Sequence, residues 1–365
     1  MTTIPNLCIA GGGTGGHVMP ALALADAARA AWPELKVTFI GAERGLEARL
    51  LPERGEDALL LTMHSVQGAG LGQKLRVLFW ELPMAVLKVR KQWKNNRPHL
   101  VVGVGGYASV TGVLAALTSS IPVILYEQNA VPGLVNRKLT RFCKAIMLGF
   151  ADAARLLPAG KTIITGNIVR ESIAEVNWQS HTPPRLLILG GSQGAAFLNE
   201  SVPAACGQLK EKGREFQVTH IAGKNESSIE QAYRDAGIDA DVLGFCNDMP
   251  NFYTSGDLMI ARSGAMTVGE AAICGIPTIY VPLPHAADQH QYYNAKSIAD
   301  QGAAIILEQK NSSVPELATQ IEALLFDASR LNKMSQAAKT ASYVNAKEKQ
   351  LDALQSFLPL PEVIA

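Results

Sequence analysis

Short apolar runs alternate along the chain with stretches in which apolar residues recur at helical spacing. The runs are continuous instead of alternating with polar residues, which is typical of strands buried on both faces of a parallel sheet. They lie at residues 7–10, 37–40, 100–104, 123–126, 145–148, 186–189, 218–221, 258–261, 278–281 and 304–307. Strands separated by helices in this manner predict an α/β fold with doubly wound parallel sheets.

Two of these runs lead directly into a glycine-rich turn. The first turn, Gly11 to Gly16, has the G-x-G-x-x-G spacing and precedes a helical pattern. The second, Gly190 to Gly194, comes about 180 residues later and repeats the order of strand, glycine turn and helix. We therefore predict two Rossmann-like domains that face each other across a cleft, with ligands at the carboxyl ends of the strands.

The first glycine turn lacks one part of the dinucleotide-binding signature. That signature needs an acidic residue at the end of the next strand, where the carboxylate binds a ribose. Here the next strand ends at Gly41, and only Glu43 lies nearby. The glycine spacing on its own therefore supports a dinucleotide site only weakly.

The composition limits the class of protein. The chain has 365 residues, 48% of them hydrophobic, which is enough for two domains with separate cores. Its five cysteines form no C-x-x-C pair, which predicts reduced thiols in a cytosolic protein and no cysteine metal site. No secretory signal pattern and no apolar run of ~18 residues occurs, so we expect neither secretion nor a transmembrane helix.

Charge is distributed unevenly, although the net charge is only +1. Residues 1–170 contain 19 Lys and Arg against 10 Asp and Glu, whereas the remainder contains 14 against 22. We expect the basic half to face an anionic partner; chance clustering of the charges is the alternative.

The segment 72–98 carries two apolar stripes at helical spacing. Leu75, Leu78, Phe79, Leu82, Val86 and Val89 form the expected core face, and Val77, Trp80, Met84 and Leu87 form a second face. Basic residues lie between the stripes: Lys74, Arg76, Lys88, Arg90, Lys91 and Lys94. An apolar face ringed by cations predicts contact with an anionic membrane surface. Burial by a neighbouring loop or subunit is the alternative, and Pro83 can break the helix.

Two stretches of the second half offer groups to a nucleotide. Ser192 and Gln193 follow the strand 186–189 at a helix start, where they offer donors to a diphosphate. The N–H groups of residues 265–267 open another helix, and Glu270 on that helix has a carboxylate suited to ribose hydroxyls. Plain turn chemistry for Ser192 and interaction of Glu270 with the helix dipole are the alternatives.

The loop 282–294 is dense in neutral hydrogen-bonding side chains. Such groups suit a sugar, because hydroxyls need both donors and acceptors. A metal site made of His285, Asp288 and His290 is the competing interpretation.

Two residues of the first half are candidate proton acceptors. His17 lies where the first helix begins, and Glu127 ends the strand that starts at residue 123. The segments 103–109 and 126–129 are expected to share a rim with His17. A purely structural histidine is the alternative for His17.

Several motifs, in this order along the chain, resemble those of bacterial peptidoglycan glycosyltransferases. They are G-G-T-G-G-H-V at 12–18, G-G-Y at 105–107, E-Q-N at 127–129, G-G-S-Q-G at 190–194, R-S-G-A at 262–265 and Q-x-x-N-A at 291–295. The resemblance implies the GT-B fold, in which two Rossmann-like domains flank a deep cleft and the last helix returns to the N-terminal domain. It also implies an inverting hexosyltransferase that transfers N-acetylglucosamine from UDP-N-acetylglucosamine to the C4 hydroxyl of the muramyl sugar of lipid I, forming lipid II.

The same resemblance implies roles for individual residues in donor binding. Arg170 and Ser192 would contact the diphosphate, the backbone of Cys246 the uracil, Ala265, Met266, Thr267, Val268 and Gly269 the phosphate and ribose, Glu270 the ribose hydroxyls, and Gln291 the sugar. Thr14, Gly15, Gly16 and Asn129 would line the donor sugar from the N-terminal side. Tyr126 departs from the family, which commonly has histidine at that position.

The resemblance also implies the role of each domain. Residues 1–166 are expected to form an acceptor and membrane-facing domain, joined by a C-terminal helix at 344–365, and residues 167–343 the donor domain. Val344, Leu351, Leu354 and Leu358 lie on one face of that helix. The enzyme is expected to be peripheral, at the cytoplasmic face of the plasma (inner) membrane, and to bind no nucleic acid.

His17 is the expected general base, with Glu127 as the second choice. Helix N-termini and Arg170 are expected to stabilise the leaving UDP, without a metal or cofactor. Two alternatives are an enzyme like UDP-N-acetylglucosamine 2-epimerase and a non-catalytic nucleotide-sugar-binding scaffold for cell-wall assembly.

Overall fold

A computed structural model describes residues 4–62, 70–191 and 194–359 of the chain. The chain divides into two compact units. Unit 1 comprises Met1–Ile168 and Asn345–Ala365, and unit 2 comprises Val169–Val344. The acceptor and donor roles expected for the two domains remain predictions.

Unit 1 is built on a parallel sheet. Its strands are β1 (Asn6–Gly11), β2 (Lys36–Ala42), β3 (Ala58–Leu61), β4 (Leu100–Gly105), β5 (Val123–Glu127), β6 (Ala145–Leu148) and β7 (Thr162–Ile164). Within the described residues they lie in the order β3-β2-β1-β4-β5-β6-β7. The helices are α1 (Gly15–Ala31), α2 (Glu47–Glu53), α3 (Leu71–Arg76), α4 (Leu82–Trp93), α5 (Gly106–Leu117) and α6 (Leu134–Leu139).

Unit 2 repeats this plan. Its strands are β8 (Arg185–Leu189), β9 (Gln217–Ile221), β10 (Ala240–Leu243), β11 (Leu258–Ala261), β12 (Thr278–Tyr280) and β13 (Ala304–Ile306). In the described part of this unit the order is β10-β9-β8-β11-β12-β13. The helices are α7 (Glu171–Ala174), α8 (Ala196–Glu211), α9 (Glu226–Asp235), α10 (Met249–Thr254), α11 (Ala265–Cys274), α12 (His290–Ala299), α13 (Val314–Leu325) and α14 (Ala328–Ala341).

The predicted α/β class with two doubly wound parallel sheets is confirmed. Every apolar run proposed from the sequence lies on a strand of one sheet or the other. The pattern missed β3, β7 and β10, each of which is an edge strand of its sheet. Edge strands are short and partly exposed, so they need no continuous apolar run.

The last helix, α15 (Ala346–Gln355), packs on unit 1. Leu354 and Leu358 are buried in the cluster that holds the side chains of β1 and α1, and Leu351 packs against it. Gln350 Nε2 donates to the Gly166 carbonyl at 2.7 Å. Val344 is exposed and does not belong to this face, because it precedes the helix.

In the helical region 71–93, the predicted core face is wrong in its N-terminal part. Val77, Ala85, Val89 and Trp93 are buried, whereas Leu75, Leu78 and Phe79 of the expected core face are exposed. The cause is a π-helical turn at Val77–Glu81, between α3 and α4. A π turn contains more residues than an α turn. A sequence pattern that assumes 3.6 residues per turn therefore assigns the residues before and within the π turn to the wrong face of the helix. Pro83 lies in the first turn of α4, and the backbone stays helical through it.

Among the helices that the structure describes, none combines the length and the apolarity that a membrane span requires.

Candidate functional site

In each unit, a glycine loop lies where the order of the strands reverses. In unit 1, β1 pairs with β2 on one side and β4 on the other. In unit 2, β8 pairs likewise with β9 and β11. Open α/β sheets bind ligands in the crevice at such a switch point. The loops at the carboxyl ends of these strands therefore form the candidate site of each unit.

The first glycine loop connects β1 to α1. Thr14 precedes the helix in an extended conformation and makes no side-chain cap. Among the described residues, the amides of Thr14, Gly15 and Gly16 have no hydrogen-bond partner. Open amides at the start of a 17-residue helix suit an anionic group of a substrate.

The acid that completes this loop is Glu47, which sequence reasoning missed. Its Oε2 accepts from Gly13 N–H at 2.7 Å, and its Oε1 accepts from Ala42 N–H at 2.9 Å. The carboxylate lies so close to Gly12 and Gly45 that a Cβ on either would overlap it. It thus fills the space between the ends of β1 and β2, where a dinucleotide ribose would bind. Because Glu47 already accepts from it, the Gly13 amide is unavailable to an outside phosphate.

His17 lies on the first turn of α1, where its tautomer is determined by one contact. Its Nδ1 lies 3.1 Å from the Gly12 carbonyl oxygen. A carbonyl oxygen only accepts, so Nδ1 carries the hydrogen and Nε2 keeps its lone pair. Gly105 makes room for this ring, because a Cβ there would lie 2.7 Å from Nε2. The result is a half-buried histidine with one defined basic nitrogen.

Both carboxylate oxygens of Glu127, the second candidate base, already accept hydrogen bonds. Its Oε1 accepts from the backbone N–H of Asn129 at 3.0 Å and from Asn129 Nδ2 at 3.2 Å. Its Oε2 accepts at 2.9 Å from both Gly133 N–H and Asn136 Nδ2. Only 2% of the residue is exposed. Four donors hold this buried carboxylate, so Glu127 orders the turn that positions Asn129, and His17 remains the first choice as proton acceptor.

Tyr126, the departure from the family pattern, is fully buried beneath this turn. Its hydroxyl donates to Asn167 Oδ1 at 2.9 Å, and Asn167 Nδ2 donates to the Gln128 carbonyl at 3.0 Å. Burial raises the pKa of the Tyr126 phenol. The side chain therefore supports the turn through Asn167 and is closed to solvent.

In unit 2, the N-terminus of α11 is open. Gly264 precedes the helix and provides no side-chain cap. The amides of Ala265, Met266 and Thr267 have no hydrogen-bond partner among the described residues, whereas Val268 N–H already bonds to Gly264. Three open amides and the helix dipole are suited to a phosphate group.

Glu270 lies one turn further along α11, with one oxygen already held. The hydroxyl of Tyr253 donates to Glu270 Oε2 at 2.7 Å, and Oε1 has no partner in the described part of the chain. Burial raises the pKa of the Glu270 carboxyl; the bond from Tyr253 and the charge of Arg170 oppose that rise. A carboxylate held in this way can accept ribose hydroxyls. Sequence reasoning missed Tyr253, because it lies on α10 and nothing in the local pattern pairs it with Glu270.

Side chains from inside and outside the loop after β12 hold it in place by hydrogen bonds. The Leu283 N–H donates to Gln291 Oε1 at 3.0 Å. The side-chain NH2 group of Gln291 takes no part in this bond and can act as a donor. The Arg262 guanidinium donates to the carbonyls of Val281 and Pro282 at 2.9 and 3.1 Å. Asp288 and Gln289 adopt left-handed backbone conformations (φ 50° and 52°), a strain that recurs at ligand-binding loops.

The metal alternative for this loop is not supported by the arrangement of its side chains. Within residues 4–62, 70–191 and 194–359, no three His, Cys, Asp or Glu side chains are grouped as metal ligands. His290 Nδ1 instead donates to the Ala287 carbonyl at 2.8 Å.

Four of the remaining predicted donor ligands, Arg170, Cys246, Val268 and Gly269, belong to unit 2. Arg170 is exposed and precedes α7, which packs on α11. The backbone N–H and carbonyl of Cys246 have no partner in the described chain, as a uracil contact requires. Val268 and Gly269 lie within α11. Ser192 lies outside the described residues.

A buried histidine supports the second glycine loop through a chain of hydrogen bonds. His220 is fully buried; its Nε2 donates to Asn199 Oδ1 at 3.1 Å, and its Nδ1 accepts from the Tyr233 hydroxyl at 3.0 Å. Asn199 Nδ2 in turn donates to the Ala222 carbonyl, which lies directly against Gly194. Burial lowers the pKa of His220 to about 3, so this network remains neutral at physiological pH.

Comparison with known proteins identifies the family. Residues 7–148 match the Glycosyltransferase family 28 N-terminal domain, and residues 185–350 match the Glycosyltransferase family 28 C-terminal domain. The UDP-N-acetylglucosamine--N-acetylmuramyl-(pentapeptide) pyrophosphoryl-undecaprenol N-acetylglucosamine transferase of Anaeromyxobacter sp. (strain K) is 41% identical over 337 residues, covering 91% of this chain and 88% of that protein. The protein of the same name from Aeromonas hydrophila subsp. hydrophila is 39% identical and covers 95% of each.

Solved structures agree with the family match. The crystal structure of Acinetobacter baumannii MurG matches with a TM-score of 0.79 at 32% identity, over 96% of this chain and 99% of that one. A putative UDP-N-acetylglucosamine 2-epimerase from Listeria monocytogenes has a TM-score of 0.67 over 98% and 96% of the two chains, but only 14% identity. The second likeness shows a shared fold alone. On its two domains and its identity to these relatives, the chain belongs to glycosyltransferase family 28 and has the GT-B fold.

Proposed function

We infer that the chain is an inverting hexosyltransferase that moves N-acetylglucosamine from UDP-N-acetylglucosamine to the C4 hydroxyl of the muramyl sugar of lipid I. The product is lipid II, an intermediate of peptidoglycan synthesis. The relatives named for this reaction support it over nearly the whole chain. One structural observation carries it: the open amides of α11 lie on the same helix as the Glu270 carboxylate, a pairing that fits the diphosphate and ribose of UDP.

We assign the donor to unit 2. The amides of Ala265 to Thr267 and the charge of Arg170 stabilise the negative charge that develops on the leaving UDP. Glu270 accepts the ribose hydroxyls, and the backbone of Cys246 contacts the uracil. Val268, Gly269 and Ser192 complete the nucleotide site, and the Gln291 amide donates to the sugar.

We assign the acceptor to unit 1. As the C4 hydroxyl attacks the anomeric carbon, His17 Nε2 takes its proton and the bond to UDP breaks, which inverts the configuration and gives a β-1,4 link. The amides of Thr14, Gly15 and Gly16 bind an anionic or sugar oxygen of the substrates. Asn129, held by Glu127, contacts the transferred sugar.

Release of UDP tests this function. UDP-N-acetylglucosamine is incubated with the full chain, with and without a short-chain lipid I analogue, and UDP and sugar products are measured. We expect UDP release only with the acceptor, in equal amount to N-acetylglucosamine transferred. A scaffold would bind the donor and release no UDP in either case. An epimerase would convert the sugar without the acceptor, and either result would refute the transferase.

We also propose that unit 1 binds an anionic membrane surface through the segment 71–94. Its exposed apolar side chains are Leu71, Leu75, Leu78, Phe79, Trp80, Met84 and Leu87. Phe79 and Trp80 are 71% and 69% exposed. Lys88, Arg90, Lys91 and Lys94 are exposed beside them and form no ion pair with any described residue. Apolar insertion and charge attraction to anionic lipids add, and each cation near the surface contributes about 1 kcal/mol.

Replacing the two aromatic residues tests membrane binding. The double variant Phe79→Ser, Trp80→Ser is expected to bind phosphatidylglycerol-containing vesicles about 100-fold more weakly than the wild type, because two large apolar groups that insert into the bilayer are lost. Vesicle sedimentation measures the effect. Val344→Ser removes an exposed apolar residue of unit 2 and serves as the control, with unchanged binding. Equal sedimentation of all three proteins would contradict the proposal.

The same surface supports a location at a membrane. We propose a peripheral enzyme on the cytoplasmic face of the plasma membrane. Five free cysteines, four of them buried, fit a reducing compartment.

A further inference from the structure

Glu47 is a buried carboxylate that the reaction, as assigned above, does not use. It begins α2, and only 1% of it is exposed. Burying a charge is unfavourable unless hydrogen bonds compensate, and here the amides of Gly13 and Ala42 supply them. Ala42 is only five positions from Glu47, whereas Gly13 is 34 positions away, so the contact with Gly13 is built by the tertiary structure.

The Gly12–Gly13 peptide unit connects Glu47 to His17. The N–H of this unit, on Gly13, donates to Glu47 Oε2 at 2.7 Å. Its carbonyl, on Gly12, faces His17 Nδ1 at 3.1 Å. In a trans peptide the N–H and the C=O point in opposite directions. Glu47 therefore holds one side of a peptide plane whose other side determines the tautomer of the imidazole.

The sequence makes this peptide unit easy to reorient. Glycine has no Cβ, so rotation of a peptide between two glycines meets little steric resistance. If the Gly12–Gly13 plane turned over, an N–H would face His17 Nδ1. The imidazole would then favour the tautomer with the hydrogen on Nε2, and that nitrogen would no longer accept a proton.

We propose that Glu47 is a positioning residue that holds the Gly12–Gly13 peptide in the orientation that leaves the Nε2 lone pair of His17 free. This inference rests on the proposed role of His17 as general base. Glu47 does not touch the substrate. It acts on the acceptor hydroxyl only through the peptide and the imidazole.

Glu47→Gln tests the proposal with little change of volume. A carboxamide has one oxygen, and its NH2 group cannot accept a hydrogen bond. It can satisfy the Gly13 or the Ala42 amide but not both, so the Gly12–Gly13 peptide is held less firmly and its two orientations become closer in energy. Leu51→Ala on the same helix is the matched control, because Leu51 is buried in the core of unit 1 and does not contact the glycine loop through any described hydrogen bond.

The first measurement is steady-state kinetics with UDP-N-acetylglucosamine and a lipid I analogue. For Glu47→Gln we expect kcat to fall about 100-fold while the donor KM changes by less than about twofold, because the donor binds unit 2. Leu51→Ala is expected to lower the melting temperature and leave kcat within about twofold of the wild type, measured below its melting temperature.

The second measurement is the tautomer of His17, from nitrogen NMR of the full chain labelled at histidine, with the signal assigned by its loss in His17→Ala. The wild type is expected to show the hydrogen on Nδ1, and Glu47→Gln a substantial population with it on Nε2. An unchanged tautomer together with wild-type kcat would overturn the inference. If Glu47→Gln changes the tautomer but His17→Ala is fully active, Glu47 does determine the tautomer of His17, and the proposed role of His17 as general base is wrong instead.

Discussion

His17→Asn is expected to lower kcat by about 10²- to 10⁴-fold, the range typical for loss of a general base. Asparagine places an N–H donor near the position of Nδ1, so it retains the hydrogen bond to the Gly12 carbonyl. It has no counterpart of Nε2. The loss therefore reports proton transfer and not collapse of the glycine loop, and it is measured as UDP release at saturating donor and acceptor.

Two further variants separate the possible outcomes for His17. His17→Ala is expected to show a similar loss in kcat. His99→Ala, also in unit 1 but bonded to the amide of Asn6, is expected to retain kcat within about twofold. Near-normal turnover by His17→Asn would show that another group takes the proton of the acceptor hydroxyl.

Glu270→Ala is expected to raise the donor KM about 100-fold, with a smaller effect on kcat. Hydrogen bonds to a charged group contribute about 1.5–3 kcal/mol, and both ribose hydroxyls lose their acceptor. Tyr253→Phe removes only the hydroxyl that holds Glu270 Oε2, and we expect a rise of about 3- to 10-fold. Equal donor KM values for wild type and Glu270→Ala would show that the ribose is bound elsewhere.

The same carboxyl gives the donor KM a pH dependence. Burial raises the pKa of Glu270, so the carboxyl becomes protonated at a higher pH than an exposed glutamate. A protonated carboxyl has lost part of its capacity to accept hydroxyls, so the wild-type donor KM is expected to rise as the pH falls through this raised pKa. Glu270→Gln cannot titrate, and its donor KM is expected to stay flat over the same range.

Local patterns predicted the fold and point to part of the candidate site. Buried parallel strands produce continuous apolar runs, and a strand that leads into a glycine turn and a helix predicts a switch-point loop wherever it occurs. The α11 start and Glu270 could be proposed for the same reason, since they are neighbours in sequence. The family predicted from the motifs is confirmed by its relatives.

Contacts between distant segments could not be predicted in this way. Glu47 meets Gly13 across 34 positions, and Tyr253 meets Glu270 from another helix. Glu127 is a candidate proton acceptor from its position alone, because the sequence does not show that the following turn folds back to supply four donors. The π-helical turn at Val77–Glu81 likewise changes which apolar residues face outward, although every residue in it is compatible with an ordinary helix.

The return of α15 to unit 1 has a consequence for the order of folding during synthesis. Leu354 and Leu358 complete the core under β1, yet the ribosome makes them only after all of unit 2. At about 5–20 residues per second, the N-terminal sheet waits on the order of 10–40 s for this part of its core. Unit 2 is continuous in sequence and needs no such wait. The part of the chain that emerges first is therefore the last to be completed.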